Sequence, residues 1–282
     1  MKFFRLLFAF TVLCWVATAL QASPSAGPED RLKDLAAKQK ALLTQNDPND
    51  PKFDKENFRS QIQQLCDAYD LLIKDHPKFV ATYVSYGMLL SQIDMRREAA
   101  IMFLSANKID HNIPLVKNQL GNYLAEEGKP LEAVSYYLAA IKLDPKEPLY
   151  HYQLGQLLYG ARDEFVKSGS WTRESVDRAM HEAFREAKDL APESLPYAYR
   201  YGESFADLEH PNWDEALAYW KSIEPLAKEG IEQQTLELQE ANVLIQEKKF
   251  DEAKAVIDQV GEPKLADQKQ KLVAQLPAAK SS

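Results

Sequence analysis

The sequence predicts an all-α fold, an α-solenoid of stacked antiparallel helix pairs, and three observations predict it. Residues of several types recur in one register with a step of 34 positions. Glycine is scarce, 10 in 282 residues, near half its usual share of about 7%, which argues against a sheet punctuated by tight turns. The segments between the recurring positions carry apolar residues at helical spacing. With 45% apolar and 27% charged residues, the chain has the material for packed cores and is not disordered along its length.

The register is carried by named residues. Gly87, Gly121 and Gly155 stand 34 apart, and Gly202 follows after 47. Phe103, Tyr137 and Phe184 repeat those two steps, with Trp220 another 36 on. Pro77, Pro145 and Pro192 share the frame, His111 fills its vacant proline slot, and Ala99 and Ala133 keep it too. A period of this length marks a repeat architecture. The clearest copy is 114–147, PLVKNQLGNYLAEEGKPLEAVSYYLAAIKLDPKE, with Leu120, Gly121, Leu124, Gly128, Ala133, Tyr137, Ala140 and Pro145. These residues resemble the tetratricopeptide repeat, and the resemblance implies helix pairs wound into a right-handed superhelix. It covers about residues 80–260. The pattern has a physical reason. Small residues such as Gly121 and Ala133 let two helices approach closely, Gly128 turns the chain between them, and Pro145 ends the second helix for want of a backbone donor. One pair cannot bury its apolar face alone, whereas stacked neighbours can.

In chain order, residues 1–22 read as a secretory signal peptide. Lys2 and Arg5 precede an apolar run from Leu6 to Leu20, with cleavage expected around Ala17–Ala19 or at the Ala22–Ser23 bond. That run is short for a membrane span, which needs about 20 residues; an uncleaved anchor is the alternative. The expectation is an exported chain, periplasmic or secreted, with no stable span after cleavage. Removing 1–22 takes away Lys2 and Arg5 and no acid, so the net charge moves from −8 to −10, and a nucleic-acid partner is not expected. One cysteine remains, Cys66, which precludes a disulfide within the mature chain. Its setting, IQQLCDAYDLL, reads as an amphipathic helix with a buried thiol.

Residues 23–53 form an N-terminal segment with one helix near 29–44 and an NDPNDP linker at 46–51. The repeat region runs from 54 to 260. It opens with a half repeat, 54–79, whose Leu65, Tyr69 and Leu72 fill second-helix slots, and continues as 80–113, 114–147, 148–194, 195–230 and 231–260. The third repeat carries an insertion near 160–172. The fifth has Ala241 in the glycine slot. A capping helix is expected over 261–276, with Leu265, Leu272, Val273 and Leu276 on one side, followed by a polar tail at 277–282.

Catalytic signatures are missing. The sequence has no GxxxxGK[ST], GxGxxG, GxSxG or HExxH motif. Its histidines, His76, His111, His151, His181 and His210, form no metal-ligand spacing. No enzyme activity, cofactor or metal is expected; an enzyme without a recognisable motif stands as a third alternative, behind two binding roles. In proteins that this sequence resembles, the first helix of each repeat lines a concave groove that grips peptides or partner helices. Carried over, the groove positions are Asn118 and Asn122 in the second repeat, Tyr152, Gln156 and Tyr159 in the third, and Tyr199 and Glu203 in the fourth. Asparagine amides both donate and accept, and tyrosines add rigid area with a polar tip. The alternative is that these are ordinary solvated or packing residues. The family's carboxylate-clamping subset is not matched, because Lys117 and Arg200 each sit one slot away from useful positions. The insertion, GARDEFVKSGSWTRES, is expected either to lengthen both helices or to project as a loop bent at Ser168–Ser170. Phe165 and Trp171 in it are candidate partner anchors, with Trp171 folding back on its own repeat as the alternative. The functional expectation is a non-catalytic interaction scaffold of the cell envelope with a protein or peptide partner. An accessory module for envelope polysaccharide or outer-membrane assembly machinery is the second reading. Nothing in the sequence fixes the oligomeric state.

Overall fold

The computed structural model describes residues 27–46, 50–51 and 53–277; the signal segment, the middle of the NDPNDP linker and the tail after Pro277 lie outside the described residues. Among the described residues there are fourteen α-helices, two one-turn 3-10 helices and no strand. The chain divides into two compact units, with the boundary between Glu127 and Gly128, inside the clearest repeat.

The first unit holds α1 (Pro28–Gln45), α2 (Lys55–Asp75), α3 (Val80–Gln92), α4 (Arg96–Ile109) and α5 (Pro114–Glu126). Leu35 and Leu42, two turns apart on α1, are buried, as are Leu65, Cys66, Tyr69 and Leu72 on α2. The Tyr69 hydroxyl donates to Gln39 Oε1 at 2.8 Å, and Arg31 pairs with Asp75 at 2.8 Å. Helix α1 packs on both α2 and α3. The expected half repeat is therefore a complete pair, with the segment before the linker supplying its first helix. Tyr69 stacks on Tyr86 with ring centroids 5.1 Å apart. Gly87 faces the Phe103 ring so closely that a Cβ would lie 2.7 Å from it.

The second unit holds α6 (Pro130–Leu143), α7 (Pro148–Gly160), α8 (Arg162–Lys167), α9 (Arg173–Leu190), α10 (Leu195–Ser204), α11 (Trp213–Ser222), α12 (Ile231–Gln246), α13 (Phe250–Gln259) and α14 (Ala266–Val273). The same close approach recurs at Gly155 against Phe184 and at Gly202 against Trp220, where a Cβ would sit 2.6 Å from a ring atom. Prolines open α5, α6, α7 and α10 within their first two positions, where the missing N–H costs nothing. A left-handed residue stands in the turn between α3 and α4, Asp94 at φ 64°, and between α12 and α13, Lys248 at 62°; Gly128, which opens the second unit, has φ 72°. Ala241 takes the glycine slot of the last repeat and is fully buried, as is Ala253.

The insertion takes neither expected form. It folds as the short helix α8, a bend at Ser168–Ser170 with Gly169 at φ 76°, and extra length at the start of α9. Thr172 caps that helix, its hydroxyl accepting from the Ser175 N–H at 3.1 Å. Phe165 is 0% exposed and meets Trp171 edge-on at 5.7 Å. Phe165 is thus not a partner anchor, because it supplies the apolar face that fastens α8 to the unit, and the half-buried Trp171 rests against it. At the C-terminus, α14 packs on α12 and α13 with Leu272 buried and Leu276 partly so. Val273 is 47% exposed, against expectation: adjacent helical residues point about 100° apart, and Leu272 takes the core position.

Candidate functional site

Within the second unit, the first helices of successive repeats are α7, α10 and α12, and five candidate residues lie on the first two. Tyr152, Tyr199 and Glu203 are half-buried, while Gln156 and Tyr159 are exposed, Tyr159 at 45%. Gln156 Nε2 donates to the Tyr152 hydroxyl at 2.8 Å. Tyr152 meets Tyr197 of α10 at 5.2 Å and the Phe184 ring at 5.8 Å. Tyr199 lies edge-on to Trp220 and accepts a hydrogen bond from Gln239 of α12. Tyr152 and Gln156 thus form one cluster with Tyr197 of α10, and Tyr199 links α10 to α12.

Arg200 gathers Tyr159 and Glu203, and sequence reasoning set it aside. Its guanidinium lies 4.6 Å from the Tyr159 ring centroid and 4.3 Å from that of Phe184. Arg200 Nη2 donates to Asp207 Oδ2 at 3.0 Å, and Nη1 lies 3.8 Å from Glu203 Oε2. Burial pushes the Glu203 carboxyl above its ordinary range, with Arg200 opposing and Asp207 adding to the rise. The insertion supports this arrangement from behind. Arg162 Nη2 donates to the Asp207 carbonyl at 3.0 Å, and Arg162 Nε pairs with Asp177 Oδ1 at 2.7 Å. Asp177 is almost fully buried and also accepts from Arg173 Nε at 2.7 Å.

A cavity of about 210 Å³ opens between α10, α11 and α12, lined by Glu203, Phe205, Trp213, Trp220, Gln239 and Asn242 with small residues between them. Trp213, Gln239 and Asn242 were not sequence candidates. Asn242 occupies the slot of Gln156 and Glu203 relative to the glycine frame, which Ala241 obscured. Nearby, His181 packs against Tyr201 and Phe205. The Ser204 hydroxyl spends its one proton on the Tyr201 carbonyl at 2.6 Å, so it accepts from His181 Nδ1 at 2.8 Å. Burial pulls the His181 imidazole down to about 4, and it is neutral at ordinary pH.

In the first unit the two asparagine candidates part company. Asn118 is 0% exposed, with both amide atoms unpartnered. Helix α5 is buried over a wide arc that includes Val116, Leu120 and Gly121, so Asn118 is a packing residue that presents nothing to a groove. Asn122 lines a hollow of about 1040 Å³, together with Phe58 and Ile62 of α2, Tyr86 of α3, Phe103 of α4 and Glu126 of α5. Arg96 ties its rim, pairing with Asp94 at 2.7 Å and Glu126 at 3.1 Å. Cys66 also lines the hollow, and burial pushes its thiol up to about 11.

Among the described residues no group of three or more His, Cys, Asp or Glu side chains is placed to hold a metal, and no helix is long and apolar enough to cross a membrane. No family model and no curated protein sequence matches the chain. Solved structures do. PilF of Pseudomonas aeruginosa is 13% identical, with a TM-score of 0.61 over 89% of this chain and 100% of its own. PilW, described as a widely conserved type IV pilus biogenesis factor, is 14% identical, with a TM-score of 0.55 over 86% and 99%. YrrB, described as a TPR protein with an unusual peptide-binding site, is 15% identical, with a TM-score of 0.54 over 73% and 93%. At such identities the likeness establishes the fold. The chain has the all-α tetratricopeptide-repeat fold.

Proposed function

We propose that this chain is a non-catalytic scaffold of the cell envelope that holds an extended segment of a partner protein along the first-helix face of α7, α10 and α12. The observation that carries the reading is that face itself. Tyr152 contacts Gln156 and Tyr197, Arg200 gathers Tyr159 and Glu203, and Tyr199, one turn before Glu203 on α10, contacts Gln239, which presents aromatic area beside amide and carboxylate groups. Such a surface suits an extended peptide, because tyrosine offers large contact area at small entropic cost and amides match the peptide backbone. The rigid second row behind it, Phe184, Trp220 and Asp207, keeps the face organised before a partner arrives, and preorganisation limits the entropy lost on binding. YrrB, which shares the fold, is described as carrying a peptide-binding site. The envelope setting rests on the signal-like segment at 1–22.

The test is an array of immobilised random 12-residue peptides probed with the labelled chain. The variants Gln156→Ala and Tyr159→Ala truncate exposed side chains and are expected to remain folded by circular dichroism. Both are expected to lose most array signals, while Leu138→Ala, exposed on α6, keeps them. Retention of all array signals by both groove variants refutes the reading.

A further inference from the structure

The cavity between α10, α11 and α12 has a chemistry of its own. Its volume of about 210 Å³ corresponds to about seven water volumes at roughly 30 Å³ each, the scale of one long side chain. Trp213, Trp220 and Phe205 stand in its lining, and Glu203 is the one charged residue there. That carboxylate is incompletely matched. Arg200 is committed to Asp207 at 3.0 Å and reaches Glu203 at only 3.8 Å, so two carboxylates share one guanidinium. Gln239, whose amide nitrogen donates to Tyr199, and Asn242 add side-chain amides to the lining.

We propose that this cavity is a socket for the cationic side chain, lysine or arginine, of a peptide segment lying on the α7–α10–α12 face. The inference rests on the groove reading above and adds a residue preference to it. Charge decides among the occupants. An acidic side chain would meet Glu203 and, behind it, Asp207. A neutral apolar side chain would cover a half-buried carboxylate without supplying a partner, which is unfavourable. A cation supplies the missing charge to Glu203 and is attracted to indole faces as well. Burial already holds the Glu203 carboxyl above its usual range, as expected for a charge awaiting a counter-charge.

The test uses the full chain and three blocked tripeptides, acetyl-Ala-X-Ala-amide with X as arginine, lysine or norleucine. Binding is followed through the indole N–H resonances of Trp213 and Trp220. The arginine and lysine peptides are expected to shift both signals saturably, with the norleucine peptide at least tenfold weaker. Glu203→Gln is expected to weaken the arginine peptide at least tenfold and to leave the norleucine peptide unchanged. Equal binding of norleucine, or unchanged arginine binding in Glu203→Gln, overturns the socket; so does the absence of any indole shift at millimolar peptide. If the random array still depends on Tyr159 in that case, the groove survives and the socket alone has failed. If the array ignores Tyr159 while arginine binding depends on Glu203, the groove has failed instead.

Discussion

Two glycines on the same helix make opposite predictions. At Gly155 a Cβ would lie 2.6, 2.7 and 2.8 Å from three atoms of the Phe184 ring; at Gly160 it meets nothing within 4 Å. Alanine favours a helix interior by up to about 1 kcal/mol over glycine, so Gly160→Ala, at the helix end, is expected to be neutral or stabilising by up to that amount. Gly155→Ala takes the same gain but must displace the ring. Phe184 is 0% exposed, with Tyr152 edge-on to it and Arg200 over its face, so it has no free space to enter. Overpacking of this kind costs about 1–3 kcal/mol, and contacts under 3 Å belong at the upper end. The expected net loss for Gly155→Ala is therefore about 1–2 kcal/mol. Urea unfolding followed by tryptophan fluorescence reads the relevant unit, because three of the four tryptophans, Trp171, Trp213 and Trp220, lie in the second one and the fourth, Trp15, lies in the signal-like segment. Combining Gly155→Ala with Phe184→Leu shrinks the obstructing ring, and the pair is expected to be more stable than the sum of the single changes by about 1 kcal/mol. Equal midpoints for Gly155→Ala and Gly160→Ala would refute the close-approach reasoning.

Four further outcomes follow from the same packing. His181 is neutral when folded, with its imidazole at about 4 against an ordinary 6.5, so the unfolded chain takes up the extra proton as acidity rises. Stability is expected to fall between pH 6.5 and 4, and less so in His181→Phe; identical pH profiles for the two proteins contradict this. Asp177→Ala leaves Arg162 and Arg173 without their buried partner and is expected to cost about 3–5 kcal/mol. Arg178→Ala breaks an exposed pair with Glu174 and is expected to stay within about 0.5 kcal/mol. The Cys66 thiol, pushed up to about 11, is expected to react with iodoacetamide at pH 8 about a hundredfold or more slowly than an ordinary thiol near 8.5. Rapid alkylation of the folded chain means that α2 opens.

What could be read from the sequence was whatever the repeat forces to recur. Gly87, Gly155 and Gly202 announced the register because each must admit an aromatic ring from its partner helix, and no other side chain leaves that space. The left-handed turn was legible at Gly128 and hidden at Asp94 and Lys248, where the surrounding helices impose the conformation on residues that do not prefer it. Candidate site residues divided for a related reason. Slot position places Tyr152, Gln156 and Tyr159 on an accessible face, but the same slot as Tyr152 is fully buried at Asn118, because burial depends on neighbours that a local pattern does not name. Arg200 was set aside, and Trp213 and Asn242 went unnamed, because their importance lies in contacts between repeats. The first unit's α1 was set apart for its proline-rich linker, yet Leu35 and Leu42 already carried the two-turn spacing of a packed face.

The insertion shows how a departure from the repeat can serve the face that the repeat builds. Arg162 occupies the position where other repeats make their left-handed turn, and here it begins a helix instead. That helix is held down by Phe165, so the guanidinium of Arg162 is delivered at a fixed place, between the Asp177 carboxylate and the Asp207 carbonyl. Asp207, steadied through its backbone, uses its carboxylate to orient Arg200. Arg200 in turn lies over Tyr159 and reaches toward Glu203. Each step is a contact of 4.6 Å or less between groups that are half-buried or better, apart from the exposed Tyr159, and the two hydrogen bonds among them, Arg162 to the Asp207 carbonyl and Arg200 to its carboxylate, are stronger in such surroundings than at an open surface. On the proposed groove reading, a projecting loop with aromatic tips would have offered a partner a second handle. The folded insertion instead acts at a distance, fixing the geometry of the tyrosine and the carboxylate that a bound segment would meet.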